Sequence, residues 1–288
     1  MKTGIVLEGG GMRGLYSAGI LDVLMEHGIE VDGLVGVSAG AVFGGNYKSK
    51  QIGRAITYNK KVCKDPRYGT FRSLFKTGDL FDVDFCYRII PEEISPVDTV
   101  TYASNPLEFY VTCTDVETGE AVYHKSVDMK ESLEWVRASA SMPLVSKIVE
   151  IDGKGYLDGG IAESIPIDFM RQQGFDKNIV VLTRPRGYKK SKNKLVWLAR
   201  IILRKYPAVI HDMKTRHIGY NERLCQLVSL EEKGEVLLFY PDQSAMISRT
   251  ESNPEKLQMC YDAGRRDALE RLDEIRKFVE KSHVEKTV

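Results

Sequence analysis

Two glycine-rich turns within the first 50 residues constrain the fold of this chain more than any other feature. Each turn follows a short apolar run, residues 2–7 and 33–37, and each leads directly into a helical pattern. A buried strand that passes through a tight turn into a helix, twice in succession, is typical of a parallel α/β sheet. The pattern predicts strand, helix, strand and helix from residue 3 to about residue 50.

The second turn carries a serine between two glycines, in the sequence Gly36-Val37-Ser38-Ala39-Gly40. This is the G-x-S-x-G pattern of a nucleophile elbow, in which the turn is too sharp for side chains on either flank. Such a turn exposes the serine hydroxyl ahead of a helix N-terminus, which favours developing negative charge. A Gly-Ser loop without catalytic function is the alternative, and the pattern alone does not exclude it.

The first turn has the sequence Gly9-Gly10-Gly11-Met12-Arg13-Gly14. Backbone N–H groups can converge in such a turn and bind an anion or an oxyanion. The same glycines satisfy G-x-G-x-x-G, but a dinucleotide site needs an acidic residue at the end of the second strand. Glu30 and Asp32 precede that strand instead, which disfavours a dinucleotide. A glycine-rich turn that binds no ligand is the other interpretation, and the sequence does not exclude it.

A third motif lies at the end of a predicted hairpin. Residues 147–151 and 155–157 read as two strands around Asp152-Gly153, and the second strand runs into Asp158-Gly159-Gly160. An aspartate at a strand end can face a cleft. A solvated turn aspartate is the commoner use of Asp-Gly, so this motif is also ambiguous by itself.

Together, and in this order, the three motifs resemble the patatin-like phospholipase family in its bacterial cytosolic type. Residues 111–119 and 137–143 resemble further parts of that family, and the resemblance covers residues 1–185. It implies a three-layer α/β/α fold with a mostly parallel central sheet. The remaining residues, 186–288, are expected to form an extension packed on the same domain.

The resemblance also implies a serine acyl hydrolase that cleaves lipid esters without a cofactor or a metal. Ser38 would be the nucleophile and Asp158 its base, and the N–H groups of the glycine turn would form the oxyanion hole. Arg13 would either brace that turn or lie near a lipid phosphate. The residues implied are Ser38 and Asp158 (catalytic), Gly9, Gly10 and Gly11 (oxyanion hole), Arg13, and the motif glycines Gly14, Gly36, Gly40, Gly159 and Gly160.

Several alternatives remain. A Ser–Asp–His triad would need a histidine after Asp158, and His211 and His217 have that order. The elbow lies too early in the chain for an α/β-hydrolase, and we predict that both histidines are surface residues. A soluble carboxylesterase, thioesterase or acyltransferase could use the same dyad. A non-catalytic lipid-binding regulator is disfavoured, because a binding module does not need an elbow serine.

Composition limits the partners. The 288 residues include 41 basic and 40 acidic side chains, so no net field attracts nucleic acid. Five cysteines without metal-binding spacing indicate reduced, buried thiols in a cytosolic protein. The first apolar run is interrupted by Glu8 and Arg13, unlike a signal peptide, and no run approaches the length of a membrane span. We therefore expect a cytoplasmic location.

In the segment Lys189–Tyr206, four lysines precede a broad apolar helical pattern that contains Trp197. A helix of this composition is typical of peripheral contact with anionic lipid headgroups. A cap helix packed on the core, beside a solvated lysine loop, is the alternative and the commoner arrangement. After this segment, Asn253-Pro254 predicts the start of a long amphipathic helix that runs to about Lys281.

Overall fold

The computed structural model describes residues 1–284, with side chains up to residue 280. It is a three-layer α/β/α fold whose central sheet has eight strands in this part of the chain. The strands are β1 (Lys2–Leu7), β2 (Gly33–Val37), β3 (Glu108–Asp115), β4 (Ala121–Lys125), β5 (Val149–Ile151), β6 (Lys154–Asp158), β7 (Phe175–Val181) and β8 (Val236–Phe239).

The sheet is parallel through its centre and antiparallel at one end. Its order is β5-β6-β3-β2-β1-β7-β8, with β4 also paired to β3. The strands from β3 to β8 in this order run parallel to one another, whereas β4 and β6 pair antiparallel with β3. The carboxyl ends of the parallel strands therefore lie along a single edge, where ligands bind in sheets of this kind.

Helices cover both faces of the sheet. They are α1 (Leu15–Glu26), α2 (Ala39–Lys48), α3 (Arg54–Val62), α4 (Phe71–Thr77), α5 (Thr99–Ser104), α6 (Met129–Ser139), α7 (Ile167–Gln172), α8 (Val196–Ile202), α9 (Pro207–Glu232), α10 (Pro254–Glu270) and α11 (Leu272–Val284). Two further helical segments are a 3-10 turn at Gly11–Gly14 and a π-helical stretch at Phe85–Ile94.

Alternate residues of β1 divide the core into two layers. Ile5 and Leu7 pack in the larger cluster, which contains the apolar faces of α1 and α10, while Val6 packs in a second cluster with residues of α7 and α9. Successive side chains of a strand point to opposite faces, so a strand buried on both sides must be apolar throughout. This requirement accounts for the continuous apolar runs of β1, β2 and β7.

The predicted elements of the first 160 residues are confirmed, and two predictions for the C-terminal part are wrong. The final helix is interrupted at Arg271, which separates α10 from α11. The Arg271 guanidinium donates to the Leu238 carbonyl at 2.6 Å and lies over the Phe239 ring, which ties the break to the end of β8.

The second error concerns His217, predicted at the surface but half-buried on α9, a helix of 26 residues. Pro207 begins it at the first helical position, where proline is favoured. Its buried residues follow helical spacing, but basic and polar side chains separate them. These buried residues are Val209, Met213, Tyr220, Leu227 and Leu230. The burial of these residues shows that α9 packs against the sheet. One turn of α9 lies at the edge formed by the carboxyl ends of the parallel strands.

Candidate active site

Ser38 stands in a strained turn between β2 and α2. Its backbone has φ 55° and ψ −121°, a conformation that L-residues seldom adopt. A Cβ on Gly40 would lie 2.5 Å from the carbonyl oxygen of Leu7, so this position requires glycine. Strain held by close packing, at a serine that lines a cavity, is what a nucleophile elbow provides.

The register of β3 places Asp158 next to Ser38. Thr112 of β3 pairs with Val37, the residue before the serine. The following residue of β3, Cys113, pairs with Asp158 at the end of β6. Neighbouring positions on one strand therefore bring together two residues that lie 120 positions apart in the chain.

The end of α6 holds both partners in place. Ser139 Oγ accepts a hydrogen bond from the Ser38 N–H at 2.9 Å and donates to the Thr112 carbonyl at 2.6 Å. The Ser141 carbonyl accepts from the Asp158 N–H at 2.8 Å. These contacts tie the elbow and the strand end to a single helix terminus, which fixes their relative position.

Asp158 is buried, with 7% of its surface exposed. Its Oδ1 accepts a hydrogen bond from the Gly160 N–H at 2.7 Å. Burial raises the pKa of the carboxyl, while the nearby Arg216 guanidinium and the Ser38 hydroxyl partly oppose this rise. A carboxylate with a raised pKa is a better proton acceptor than a solvated one.

The glycine turn borders the same cavity. Gly9, Gly10 and Gly11 line it together with Ser38 and Asp158. Their N–H groups donate to no acceptor among the residues that the structure describes. Gly11 has φ 58°, and a Cβ there would lie 2.4 Å from the Arg249 carbonyl oxygen. The turn thus presents free donors in a conformation that side chains would disturb.

Among the other predicted site residues, Gly160 lines the cavity, whereas Arg13, Gly14 and Gly159 do not. Arg13 is only 6% exposed, and its Nε has no hydrogen-bond partner among the described residues. Burial, with the charges of Arg184 and Arg249, lowers its pKa to about 10. Gly14 lies against the Phe43 ring, and Gly159 lies over the Thr112 carbonyl.

Two cavities meet at Ser38. The larger, of about 590 Å³, contains Asp158 and the glycine turn. The smaller, of about 140 Å³, shares Ser38, Gly11 and Met142 with it and is mostly apolar. The apolar side chains of the smaller cavity come mainly from residues 58–102 and from α6, and include Tyr58, Tyr68, Phe81, Tyr87, Ile90, Tyr102, Met129 and Leu133.

Sequence reasoning missed the part of the site that α9 and the lysine loop supply. Arg216 lies beside Asp158, and Lys190 lines the same cavity. His217, predicted at the surface, is half-buried and also lines the cavity, whereas His211 is exposed as predicted. Arg216, Lys190 and His217 belong to no recognisable sequence motif. For the two residues on α9, the one available signal was the helical spacing of the apolar residues that α9 buries.

The described residues contain neither a candidate metal site nor a helix that could span a membrane. No cluster of three His, Cys, Asp or Glu side chains among residues 1–280, whose side chains the structure describes, could hold a metal ion. Over residues 1–284, no helix combines the length and apolarity that crossing a bilayer requires. Cys225 is exposed, which corrects the expectation that all five thiols are buried.

Comparison with known proteins shows which family this chain belongs to. The profile of the family described as patatin-like phospholipase matches residues 5–171, more than half of the chain. The chain belongs to the patatin-like phospholipase family. A second profile, described as a domain of unknown function (DUF6363), matches residues 206–280. The whole of α9, α10 and α11 therefore lies outside the region that the patatin-like profile covers.

Similar proteins include the uncharacterized protein YjjU of Escherichia coli, 29% identical over 64% of this chain and 52% of that protein. The lysophospholipase nte1 of Aspergillus niger is 28% identical over 61% of this chain and 11% of its own length. The chain thus spans about half or less of these relatives. Among solved structures, VipD from Legionella pneumophila aligns over 97% of this chain and 67% of its own, with 13% identity and a TM-score of 0.47.

Proposed function

We propose that this protein is a serine acyl hydrolase that cleaves lipid esters, with Ser38 as nucleophile and Asp158 as general base. The observation that carries the proposal is the register of β3, which sets the elbow serine and a buried carboxylate side by side in one cavity. The lysophospholipase name of one relative supports a lipid ester as the substrate class.

The reaction would proceed through an acyl-enzyme. Asp158 accepts the proton of the Ser38 hydroxyl as Oγ attacks the ester carbonyl, and then donates that proton to the departing alcohol. Water, deprotonated by the same carboxylate, releases the acid. The raised pKa of Asp158 favours the first step, because it makes the carboxylate a stronger base. The carboxylic acid that results is still far more acidic than an alcohol, so it can protonate the departing alkoxide.

The oxyanion would bind to the glycine turn. The N–H of Ser38 is already engaged by Ser139, so donors must come from elsewhere. The free N–H groups of Gly9, Gly10 and Gly11 border the cavity beside the serine. Donors fixed in advance cost no reorganisation during the reaction, and each is worth on the order of 3 kcal/mol in the transition state.

The smaller cavity would hold the acyl chain. It opens at Ser38 and is lined by aromatic and aliphatic side chains. Its one charged residue among those described, Arg54, donates to the Ser95 carbonyl and the Asn46 side chain. A pocket with this lining favours a hydrocarbon chain, with the scissile ester at the serine.

The test is turnover by the purified protein on acyl esters of varied chain length and headgroup. We expect hydrolysis that Ser38→Ala abolishes, and labelling of Ser38 alone by an organophosphorus ester. Faster turnover of monomeric short-chain esters than of aggregated phospholipid would favour a soluble esterase or thioesterase. Acyl transfer to an added alcohol would favour a transferase, and absence of both activities would favour a lipid-binding regulator.

For the organisation of the chain, we propose that residues 1–185 form the catalytic core and that residues 186–288 form an extension on the same domain. Two contacts support a shared domain: β8 pairs in parallel with β7, and α10 packs against α1. We also propose a cytoplasmic location, in keeping with the reduced cysteines.

We further propose that α8 and the lysine loop before it touch an anionic membrane surface. Ala199 and Leu203 face the core, whereas Trp197 and Ile201 are 61% and 62% exposed. No acidic residue occurs between Arg184 and His211. Exposed apolar side chains among basic ones suit a surface of anionic headgroups. Leu195, at the start of α8, lines the larger cavity, so this contact would lie at the substrate entrance.

A further inference from the structure

The charges of the larger cavity are unusual for a site that is expected to handle a neutral ester. Asp158 is the one carboxylate among its described lining residues, whereas five cationic side chains line it: Lys190, Lys192, Lys194, Arg216 and Arg249. All five lie after residue 171, outside the region that the patatin-like profile matches. The cationic lining therefore comes from the C-terminal part of this chain.

These cations form no salt bridge with any described carboxylate, although Arg216 lies close enough to Asp158 to lower the pKa of that carboxyl. None of the five forms an ion pair within the described residues. Arg216 donates only to Ser164 Oγ, at 3.1 and 3.2 Å. The Lys190 ammonium lies 3.7 Å from the centre of the Tyr220 ring, a contact that leaves its hydrogen-bond donors free. The group thus offers several free donors toward one space.

A buried glutamate near the cluster does not neutralise it. The Glu8 carboxylate accepts hydrogen bonds from the Thr183 N–H, the Thr183 hydroxyl and the Tyr220 hydroxyl, at 2.6, 3.0 and 2.7 Å. Desolvation and the charge of Arg216 lower the pKa of Lys190 to about 6, although Glu8 opposes this shift. With that pKa, Lys190 is mostly uncharged near pH 7 when no anion is bound, and a bound anion would favour its protonated form.

The two cavities differ in polarity, and this difference determines the orientation in which a substrate would bind. On one side of Ser38 the walls are apolar, and on the other they are cationic. An ester whose acyl chain occupies the smaller cavity must place its alcohol portion in the larger one. An alcohol that carries a negative group would meet the unpaired cations there.

We propose that the cationic cavity is a subsite for a phosphate group on the alcohol portion of the substrate. This inference rests on the proposed function, in which Ser38 is acylated. The Ser38 Oγ–acyl bond forms as the ester C–O bond breaks, and Asp158 returns its proton to the departing alcohol. The phosphate stays on that alcohol unchanged. Several ammonium and guanidinium donors converging on one space match the multiple oxygens of phosphate better than a single carboxylate.

The experiment compares two monomeric substrates with the same short acyl chain, one on glycerol and one on glycerol phosphate. The variants are Lys190→Met and Arg249→Gln. Their controls are Lys189→Met and Arg204→Gln, exposed residues that do not line the cavity. We expect wild type to prefer the phosphorylated ester, and each cavity variant to lower that preference about tenfold or more, through KM. The controls should keep it.

Inorganic phosphate distinguishes a headgroup site from a site for the free ion. We expect phosphate to compete with the phosphorylated substrate and to bind Ser38→Ala in a titration calorimeter, more weakly when Lys190→Met is added. Phosphate binding without any hydrolysis would overturn the proposed function and support an anion site alone. Hydrolysis with no preference between the two esters, or an equal loss on both in each cavity variant, would overturn the subsite and leave the hydrolase intact.

Discussion

Arg216 and Asp158 face each other across Gly160. A Cβ on that glycine would lie 2.7 Å from the Arg216 guanidinium and 3.0 Å from Asp158 Oδ1. The cation lowers the pKa of the carboxyl, which burial raises. The absence of a side chain at position 160 thus lets a residue of α9 adjust the basicity of the proposed catalytic base.

Removing that cation should shift the pH dependence of turnover. Asp158 must be ionised to accept a proton, so kcat/KM should fall as pH decreases through its pKa. Arg216→Met removes a charge that lowers this pKa, and the acidic limb should therefore move to higher pH. The measurement is kcat/KM against pH on a neutral ester, with Lys214→Met on the same helix as control. An acidic limb that stays in place, or moves to lower pH, would contradict the assignment.

If Ser38 and Asp158 act as a catalytic dyad, replacing either residue should reduce turnover to a similar extent. Asp158→Asn keeps the shape of the side chain but cannot accept a proton. We expect Asp158→Asn and Ser38→Ala each to reduce kcat by several orders of magnitude, and the double variant to be no worse than either, because residues that act as a unit are not additive. Initial rates on one chromogenic ester test this, with circular dichroism to verify folding. Additive losses would show that the two residues act separately.

The strain at Ser38 predicts a difference in stability between two inactive variants. Alanine at φ 55° retains the strain, whereas glycine adopts this conformation freely. Ser38→Gly should therefore be more stable than Ser38→Ala by roughly 1 kcal/mol, after the greater entropy of glycine in the unfolded chain is subtracted. Urea unfolding of both proteins measures the difference. Equal stabilities would mean that the turn is not strained.

The local motifs of the site could be predicted because their chemistry is local. A glycine-flanked serine after an apolar run, or an aspartate at a hairpin end, leaves few other backbone geometries. The turn between β5 and β6 is an example: Asp152 and Gly153 both have positive φ, as a two-residue hairpin turn of this type requires.

The cationic half of the site could not be predicted, because its residues become significant only through tertiary packing. Arg216 lies in a basic stretch that resembles any solvated helix face until Met213 and Tyr220 are buried around it. Lys190 lies in a lysine-rich loop whose sequence does not distinguish it from Lys189. The break at Arg271 was missed for the same reason, since its cause lies on β8.

Membrane contact through α8 predicts vesicle binding that depends on both charge and apolar surface. The protein should sediment with vesicles containing phosphatidylglycerol, less with pure phosphatidylcholine, and less at high salt, since screening weakens attraction between exposed charges. Trp197→Ser with Ile201→Ser should reduce binding. Met259→Ser, which removes an exposed apolar side chain on α10, is the control. Equal binding by all three proteins would contradict a role for α8.

His217 provides the sharpest test between a dyad and a triad, because it lines the cavity that contains Ser38. A triad histidine is oriented by a hydrogen bond from one ring nitrogen to a third group. The Nδ1 of His217 is buried and has no such partner among the described residues. We therefore expect His217→Gln to change kcat by less than about tenfold, whereas loss of a general base costs about 10²–10⁴-fold. His211→Gln, at an exposed position of the same helix, is the control for effects on α9. A collapse of turnover in His217→Gln alone, with Asp158→Asn still active, would replace the dyad with a histidine-based mechanism.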